Sequence, residues 1–217
     1  MGLKVVVLGD EIRVPYQNRP RIEHFAVEPD WSSASYFWSM VALAKEAELF
    51  LPGFREFSMQ GDSLITQYMA PLGVESIFIG AGYRIRKGGT SPIPLELNMK
   101  DQPDLVQTLA VAYGALAKDI RFKGLQTLRL KETDRIKALA KELAKFRSEV
   151  REEASALAIS GALSWSNQPS FETYDDHRMA MCFSLVALSD TPVTINDPRC
   201  TSKTFPDYFE RLQQLSE

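Results

Sequence analysis

The sequence has few of the residues that form disulfides or bind metal ions. Cysteine occurs only as Cys182 and Cys200 among 217 residues, and there are two histidines. Neither a CxxC motif nor the Cys/His spacing of a zinc site is present, so we predict no disulfide framework and no metal centre. This cysteine usage is typical of a reducing compartment, and we expect a cytoplasmic protein.

Strong net charge and long apolar runs are missing as well. The formal net charge is −3, which gives no reason to expect nucleic acid or an anionic membrane as a partner. No apolar run approaches the length of a membrane-spanning helix, and residues 1–7 lack the layout of a signal peptide. Because 45% of the residues are hydrophobic, the chain can bury a substantial core, and we expect one main domain with a small appendage.

The sequence does contain an internal repeat of about 72 residues. A helix that is apolar on nearly every face follows Asp30, Asp104 and Asp176, at spacings of 74 and 72 residues. Such a helix is normally buried, so three of them at equivalent positions predict a core of parallel helices. Their N-termini would gather fractional positive charge at one end of the domain.

A second type of helix, which is amphipathic, recurs at the same interval. It follows Asp62, Asp134 and Asp207, at spacings of 72 and 73 residues. Two series with one period favour a true repeat over two helix types that recur by accident.

Strand patterns complete the repeat. Hairpins are predicted at residues 76–86 and 149–159, and strands that precede helices are predicted at residues 125–130 and 193–195. Each unit then has the order β-α-β-α-β-β, which is an α/β (α+β) fold, and the third unit ends without its hairpin.

One more hairpin pattern, at residues 4–14, has no helices before it, and residues 15–28 have the Pro-rich and charged composition of a linker. We interpret residues 1–28 as the tail and linker of a preceding, mostly absent domain. Residues 29–217 would form a domain of three units, the third incomplete. We expect the open sheet edge of the third unit to be covered by this hairpin or by a second chain.

Three stretches place cations and a carboxylate at predicted helix starts. They are residues 131–135 (KETDR), 175–178 (DDHR) and 203–207 (KTFPD). A helix start offers free N–H groups and the positive end of the helix dipole. Together the three stretches predict an anion site with acid and base groups beside it.

Residues 131–135 are predicted to form the first turn of a helix. Lys131 and Arg135 would then share one face, where their like charges cost roughly 0.2–0.5 kcal/mol unless an anion lies between them. Glu132 would lie at the rim of the core, either as a residue that stabilises the helix dipole or as an acid.

Structural roles account for several of these residues when each is taken alone. Asp104 and Asp176 precede helices, where an aspartate commonly caps the free N–H groups. His177 fits a hydrogen-bonded structural role beside a core helix, and Lys203 fits a solvated loop. Arg178 differs because it begins an otherwise apolar helix, where a guanidinium needs a carboxylate or phosphate partner.

Four motifs, in order and with matching spacings, resemble the EPSP synthase (3-phosphoshikimate 1-carboxyvinyltransferase) family. They are residues 27–36 (VEPDWSSASY), 130–135 (LKETDR), 174–181 (YDDHRMAM) and 203–209 (KTFPDYF). The similarity runs from the first hairpin pattern to the end of the chain. Chains of this family are about double this length, and the sequence resembles their C-terminal half.

The resemblance implies one domain of the two-domain enolpyruvyl transferase architecture, in which two similar domains close over a cleft. There phosphoenolpyruvate would react with shikimate 3-phosphate to give 5-enolpyruvylshikimate 3-phosphate and phosphate, a step toward chorismate and the aromatic amino acids. This chemistry needs a base, an acid and fixed cations, with no metal and no organic cofactor. The implied partners are the two substrates and the N-terminal half of the same protein.

The resemblance also implies roles for individual residues. Asp104 matches the carboxylate that takes the proton from the 5-hydroxyl, and Glu132 matches the residue proposed to protonate the methylene carbon. Lys131 matches a ligand of the shikimate moiety. Thr127 aligns with an Asn that often contacts the shikimate substrate, although its side chain is shorter. The residues that match cations holding phosphoenolpyruvate are Arg135, Arg178 and Lys203.

Two alternatives remain open. An enolpyruvyl transferase that acts on a UDP-sugar would share the architecture, but it is expected to carry a reactive cysteine and different anion motifs. The other alternative is a half-protein that binds anions without catalysis. As half of a site, this chain alone is expected to be inactive.

Overall fold

The computed structural model describes residues 4–16, 24–165 and 168–216. The described chain opens with an exposed antiparallel hairpin of strands β1 (Val6–Leu8) and β2 (Glu11–Arg13), as predicted. Among the described residues these two strands pair only with each other. The hairpin therefore does not pair with the edge of the third unit, and the other covering that we expected, a second chain, stays a prediction.

The repeat units follow one another along the chain. The first contains α1 (Trp31–Leu43), β3 (Glu48–Pro52), α2 (Ile65–Tyr68), β4 (Val74–Phe78) and β5 (Gly82–Lys87). The second contains β6 (Glu96–Asn98), α3 (Val106–Ala115), β7 (Ile120–Lys123), α4 (Arg135–Leu143), β8 (Arg147–Glu152) and β9 (Ala156–Leu163). The third contains β10 (Ser170–Phe171), α5 (His177–Ser184), β11 (Thr194–Ile195) and α6 (Tyr208–Ser216). The predicted order β-α-β-α-β-β is complete in the second unit.

The sheets of the units share one topology. In the first unit β5 lies between β3 and β4, and in the second β9 lies between β7 and β8, with every pair antiparallel. Strand β6 adds to β7 in parallel, and the third unit repeats this pair as β10 and β11. Equivalent strands therefore occupy equivalent places, as a repeat requires.

Helix α3 packs against both α1 and α5 in the core. Every residue of α3 is buried, in agreement with its apolar pattern. At equivalent repeat positions, Thr108 Oγ1 lies 3.0 Å from Ser35 Oγ and 3.5 Å from Cys182 Sγ. Arg178, at the start of α5, reaches residues at the starts of α1 and α3. The three helices therefore run parallel, with their N-termini together.

Residues 125–130 were predicted as a strand, but they contain a 3-10 helix over Gln126–Leu130. Leu125 and Leu128, three residues apart, are both fully buried, so burial follows a helical spacing. Gly124 precedes them at φ +78°, and a Cβ there would lie 2.6 Å from a side-chain oxygen of β6. The chain therefore turns where β7 ends instead of continuing as a strand.

None of the described helices combines the length and the apolar content that a membrane span needs. The longest, α1, has 13 residues, against roughly 20 for a spanning helix. Burial of α1 against the other core helices accounts for its apolar composition.

Candidate active site

The starts of α3 and α5 and the loop before α4 bring six charged side chains together, and we call this group the ionic cluster. Its members, joined by ion pairs, are Asp104, Lys131, Glu132, Arg135, Asp176 and Arg178. Five of the predicted site residues belong to it. The two that do not are Thr127 and Lys203.

Arg135 lies at the centre of the ionic cluster, and its side chain is 1% exposed. Its Nε donates to Asp176 Oδ2 at 2.6 Å, its Nη2 to Glu132 Oε2 at 2.7 Å and its Nη1 to Asp104 Oδ1 at 3.3 Å. These carboxylates compensate a buried charge that would otherwise be costly. Asp176 is fully buried, whereas Glu132 and Asp104 are each 33% exposed and open to a ligand.

The local sequence explains how Arg135 reaches this place. Helix α4 begins at Arg135, and Asp134 caps it by accepting a hydrogen bond of 3.1 Å from the Lys137 N–H. The prediction that Lys131 starts the helix is wrong, because Asp134 would then lie inside the first turn and lose its capping role. Lys131 and Glu132 lie instead in the loop before α4, so the predicted like-charge pair on one helix face does not exist.

Arg178 connects the starts of the three core helices. Its side chain is 12% exposed, and its Nη2 lies 3.3 Å from Asp104 Oδ2. Nη1 donates to the Asp104 carbonyl at 3.1 Å, and Nη2 donates to Ser32 Oγ at 3.4 Å. Desolvation lowers the pKa of Arg178, but Tyr36 and Asp104 raise it above the ordinary value. Nε has no partner among the described residues, so one buried donor is left for a ligand.

Asp104 forms ion pairs with all three cations of the ionic cluster. Its Oδ1 lies 3.4 Å from Lys131 Nζ and 3.3 Å from Arg135 Nη1. Burial alone would raise the pKa of Asp104, but Arg178, Lys131 and Arg135 together hold it below the ordinary value. Asp104 is therefore ionised at neutral pH. Capping does not explain it, because it lies inside the 3-10 turn Pro103–Leu105 and accepts no capping hydrogen bond.

Glu132 and His177 meet at the rim of the ionic cluster. His177 Nδ1 lies 3.8 Å from Glu132 Oε1 and has no hydrogen bond among the described residues. Burial lowers the pKa of His177, and the charge of Arg178 lowers it further, so the imidazole is neutral at neutral pH. Asp176, on its other side, caps α5 by accepting a hydrogen bond of 2.9 Å from the Arg178 N–H. The capping role considered for Asp176 is thus confirmed.

Thr127 and Lys203 lie outside the ionic cluster. Thr127 lines a cavity of about 650 Å³ beside β6 and β7, together with Lys100. Lys203 is exposed at the end of the 3-10 turn Pro198–Lys203, which packs against α5. In the described part of the chain the Lys203 side chain has no ion pair or hydrogen bond. The structure therefore brings neither residue into contact with the cluster.

Asp62 is a charged neighbour that the sequence analysis used only as a marker of the repeat. It is half-buried, and desolvation together with the charge of Asp104 raises its pKa to about 6. The equivalent residues Asp134 and Asp207 each pair with an arginine, but Asp62 has no such partner among the described residues. The equivalence of the three aspartates was visible in the sequence, but the missing partner was not.

The ionic cluster has the groups that a reaction of anionic substrates requires. Its cations are fixed by ion pairs and can stabilise negative charge on a ligand without reorganisation. The partly exposed carboxylates beside them are groups that can accept and donate protons. A three-unit domain with this cluster at the N-termini of its core helices is of the enolpyruvyl transferase class.

Solved structures of that class share this fold. The EPSP synthase from Acinetobacter baumannii superposes with a TM-score of 0.71 at 22% identity, over 99% of this chain and 52% of that chain. The enolpyruvyl transferase NikO from Streptomyces tendae gives a TM-score of 0.62 at 19% identity, over 99% of this chain and 50% of that chain. At these identities the likeness shows the fold alone.

Sequence similarity shows the family. The model of EPSP synthase (3-phosphoshikimate 1-carboxyvinyltransferase) matches residues 1–212. The 3-phosphoshikimate 1-carboxyvinyltransferase of Aliivibrio fischeri (strain MJ11) is 47% identical over 193 residues, which are 88% of this chain and 44% of that protein. That of Bacteroides fragilis is 37% identical over 207 residues, which are 92% of this chain and 48% of that protein. The chain belongs to the EPSP synthase family, and it spans about half the length of the curated relatives it matches.

Proposed function

We propose that the ionic cluster forms one side of an active site that transfers the enolpyruvyl group from phosphoenolpyruvate to the 5-hydroxyl of shikimate 3-phosphate. The products are 5-enolpyruvylshikimate 3-phosphate and phosphate. One observation carries the proposal: Asp104 holds Lys131, Arg135 and Arg178 within 3.4 Å of its carboxylate, at the starts of the core helices. The names of the relatives support the same reaction.

Asp104 is the base of the proposed reaction. It accepts the proton of the 5-hydroxyl as that oxygen bonds to C2 of phosphoenolpyruvate. Its lowered pKa keeps it ionised at neutral pH, and its 33% exposure gives the hydroxyl access. Because such a carboxylate is a weak base, the proton moves to it as the new C–O bond forms.

Glu132 is the acid. It donates a proton to the methylene carbon of phosphoenolpyruvate, and the addition then gives a tetrahedral intermediate. Loss of phosphate, which takes the proton held by Asp104, and return of a methyl proton to Glu132 then form the new enol ether. The 33% exposure of Glu132 supports this role, and its bond of 2.7 Å to Arg135 places the carboxyl at the rim until the ligand replaces that contact.

Three cations hold phosphoenolpyruvate in this proposal. Arg178 offers its unpartnered Nε. Arg135 exchanges its contact with Glu132 or Asp104 for the ligand, while its buried bond to Asp176 keeps the guanidinium in place. The third cation, Lys203, is exposed on the turn beside α5, and closure of the cleft would complete its contact.

Lys131 and Thr127 lie on the shikimate side of the proposed site. Lys131 follows the 3-10 helix that carries Thr127, and it already contacts Asp104 at 3.4 Å. The cavity beside Thr127 has the volume to admit part of a sugar-like substrate. The proposed reaction uses no metal and no organic cofactor.

The proposal includes a second domain, the N-terminal half of the same protein, which provides the opposite side of the cleft. Groups on both sides are needed to hold two anionic substrates and exclude water. The exposed apolar side chains of the first hairpin favour a larger partner surface, since Val7, Ile12 and Val14 are 57–68% exposed.

With both cysteines free and buried, we assign the assembled protein to the cytoplasm.

The alternative acceptor, a UDP-sugar, finds no support in the cysteines. Burial raises the pKa of Cys182 to about 12, and it also raises the pKa of Cys200, so neither thiol is activated. The other alternative, a half-protein that binds anions without catalysis, is separated from an enzyme by the following experiment.

The test joins this chain to the N-terminal half of a family member and supplies phosphoenolpyruvate with either acceptor. Mass spectrometry should detect 5-enolpyruvylshikimate 3-phosphate with shikimate 3-phosphate and no product with the UDP-sugar. Product from the UDP-sugar alone would overturn the acceptor assignment. Binding of phosphoenolpyruvate without product from either acceptor would support the non-catalytic alternative.

A further inference from the structure

Asp62 is a carboxyl group beside the ionic cluster that the proposed reaction does not use. It lies half-buried in the 3-10 turn Gly61–Leu64. Its side chain has no hydrogen bond or ion pair among the described residues. At the equivalent positions of the other units, Asp134 lies 2.7 Å from an arginine and Asp207 lies 2.6 Å from one. The first unit thus keeps an unpaired carboxyl where the others have an ion pair.

The two residues before Asp62 contact the start of α1 and the turn before α3. Gln60 Oε1 accepts a hydrogen bond of 3.0 Å from the N–H of Trp31, the first residue of α1. Gly61 packs so closely on the turn before α3 that a Cβ would lie 3.2 Å from the Asp101 carbonyl oxygen. Asp62 is therefore held beside the start of α1 and the turn before α3, the turn in which Asp104 of the ionic cluster lies.

The surroundings of Asp62 disfavour its ionised form. Desolvation and the charge of Asp104 raise the pKa of Asp62 to about 6, against the opposite effect of Arg178 and Lys131. The charged and titratable groups that face it are Asp30 at the start of α1, Tyr68 on α2, Asp104 before α3, Lys131 before α4 and Arg178 on α5.

The same electrostatics act on a ligand. If a negative charge near Arg178 and Lys131 opposes ionisation of Asp62, then an ionised Asp62 opposes binding of an anion by those cations, since coupling is reciprocal. In a partly buried site this coupling is stronger than at the surface, because solvent and salt screen it less.

We infer that Asp62 is a proton-coupled residue of the anion site, and that its carboxyl takes up one proton from solvent when an anion binds to Arg178 and Lys131. The neutral carboxyl then accompanies the bound anion, and Asp62 regains its charge when the anion leaves. This inference rests on the anion-binding part of the proposed function.

Sulfate is the probe, because it remains a dianion where phosphate would titrate. Isothermal titration calorimetry of this chain at about pH 5.5 and about pH 7.5 should give an affinity roughly 3- to 20-fold tighter at the lower pH, since Asp62 changes from mostly protonated to mostly ionised. Asp62→Asn should bind sulfate equally at both pH values. Repeating the titrations in buffers of different ionisation enthalpy should show proton uptake by the wild type and a smaller uptake by this variant.

Two controls separate Asp62 from other titrating groups. His177→Gln removes the imidazole that also lies beside the ionic cluster, and Glu210→Gln removes an exposed carboxyl of α6. Both should keep most of the wild-type ratio of affinities. Equal wild-type affinity at the two pH values, or a ratio that persists in Asp62→Asn, would overturn this inference and leave the anion site intact. No sulfate binding at either pH would overturn the proposed anion site and this inference together.

Discussion

Arg135 on α4 donates a hydrogen bond of 2.6 Å to Asp176 at the start of α5, and neither side chain is more than 1% exposed. The bond joins the second and third repeat units at the buried side of the ionic cluster. It therefore has a structural role, while the outer carboxylates of Asp104 and Glu132 stay partly exposed. The first prediction tests the structural role of this buried contact.

Asp176→Asn should lower the free energy of unfolding by about 1.5–3 kcal/mol, because Asn still caps α5 but leaves Arg135 with only the two partly exposed carboxylates, Glu132 and Asp104, to compensate its buried charge. Urea denaturation measures this. Asp207→Asn is the matched control, since Asp207 pairs with Arg211 at the surface, and it should cost less than about 1 kcal/mol. A similarly small loss for Asp176→Asn would show that the buried bond is not structural.

Asp104→Asn and Glu132→Gln should each lower kcat by about 100- to 10,000-fold in the protein assembled with its N-terminal half, with little change in substrate binding. Both replace a carboxyl that we propose to transfer a proton by a group of nearly the same shape. Steady-state kinetics with both substrates measures the effect. A kcat near that of the wild type in both variants would remove these residues from the mechanism.

Arg178→Lys should reduce kcat/KM for phosphoenolpyruvate by about 10- to 100-fold, because an ammonium does not reproduce the fixed donors of a guanidinium. Arg211→Lys, the same change in an exposed pair of α6, serves as the control and should leave kcat/KM unaltered. Unchanged kinetics in Arg178→Lys would assign Arg178 a purely structural role.

Asp62→Asn should alter the pH dependence of stability. The folded-state pKa of Asp62, about 6, lies above its ordinary value of 3.8. Below the ordinary value the carboxyl is neutral in both states, so variant and wild type should be equally stable. As pH rises from 3.8 through about 6, the wild type should lose about 1–2 kcal/mol of stability that the variant keeps, after allowance for solvent exposure.

Urea denaturation of both proteins at about pH 4 and about pH 8 measures this difference. The variant should be the more stable protein at the higher pH alone. If the wild type is as stable as the variant at the higher pH, the environment of Asp62 does not disfavour its charge.

The repeat and the order of its elements could be predicted because both depend on local patterns. Apolar helices after equivalent aspartates and alternating hairpins are visible in the sequence, and the structure contains them. The strand predicted at residues 125–130 failed because its leucines are spaced for a 3-10 helix, and a glycine ends β7 just before it. Short apolar runs of this kind do not distinguish strand from helix.

The ionic cluster was predicted in part. Its residues stand in motifs, so their chemistry was visible, but α4 starts four residues later than predicted because Asp134 caps it. The unpaired state of Asp62 depends on which side chains surround it after folding. No pattern in the chain reports that, and the same holds for the separation of Lys203 from the cluster.

The central claim is that this chain provides one side of an enolpyruvyl transfer site. The most direct measurement is phosphate release from phosphoenolpyruvate and shikimate 3-phosphate, by this chain alone and after addition of a separately produced N-terminal half from a family member. We predict no turnover by the chain alone, turnover after the addition, and its loss when the chain carries Asp104→Asn. Robust turnover by the chain alone would contradict the account.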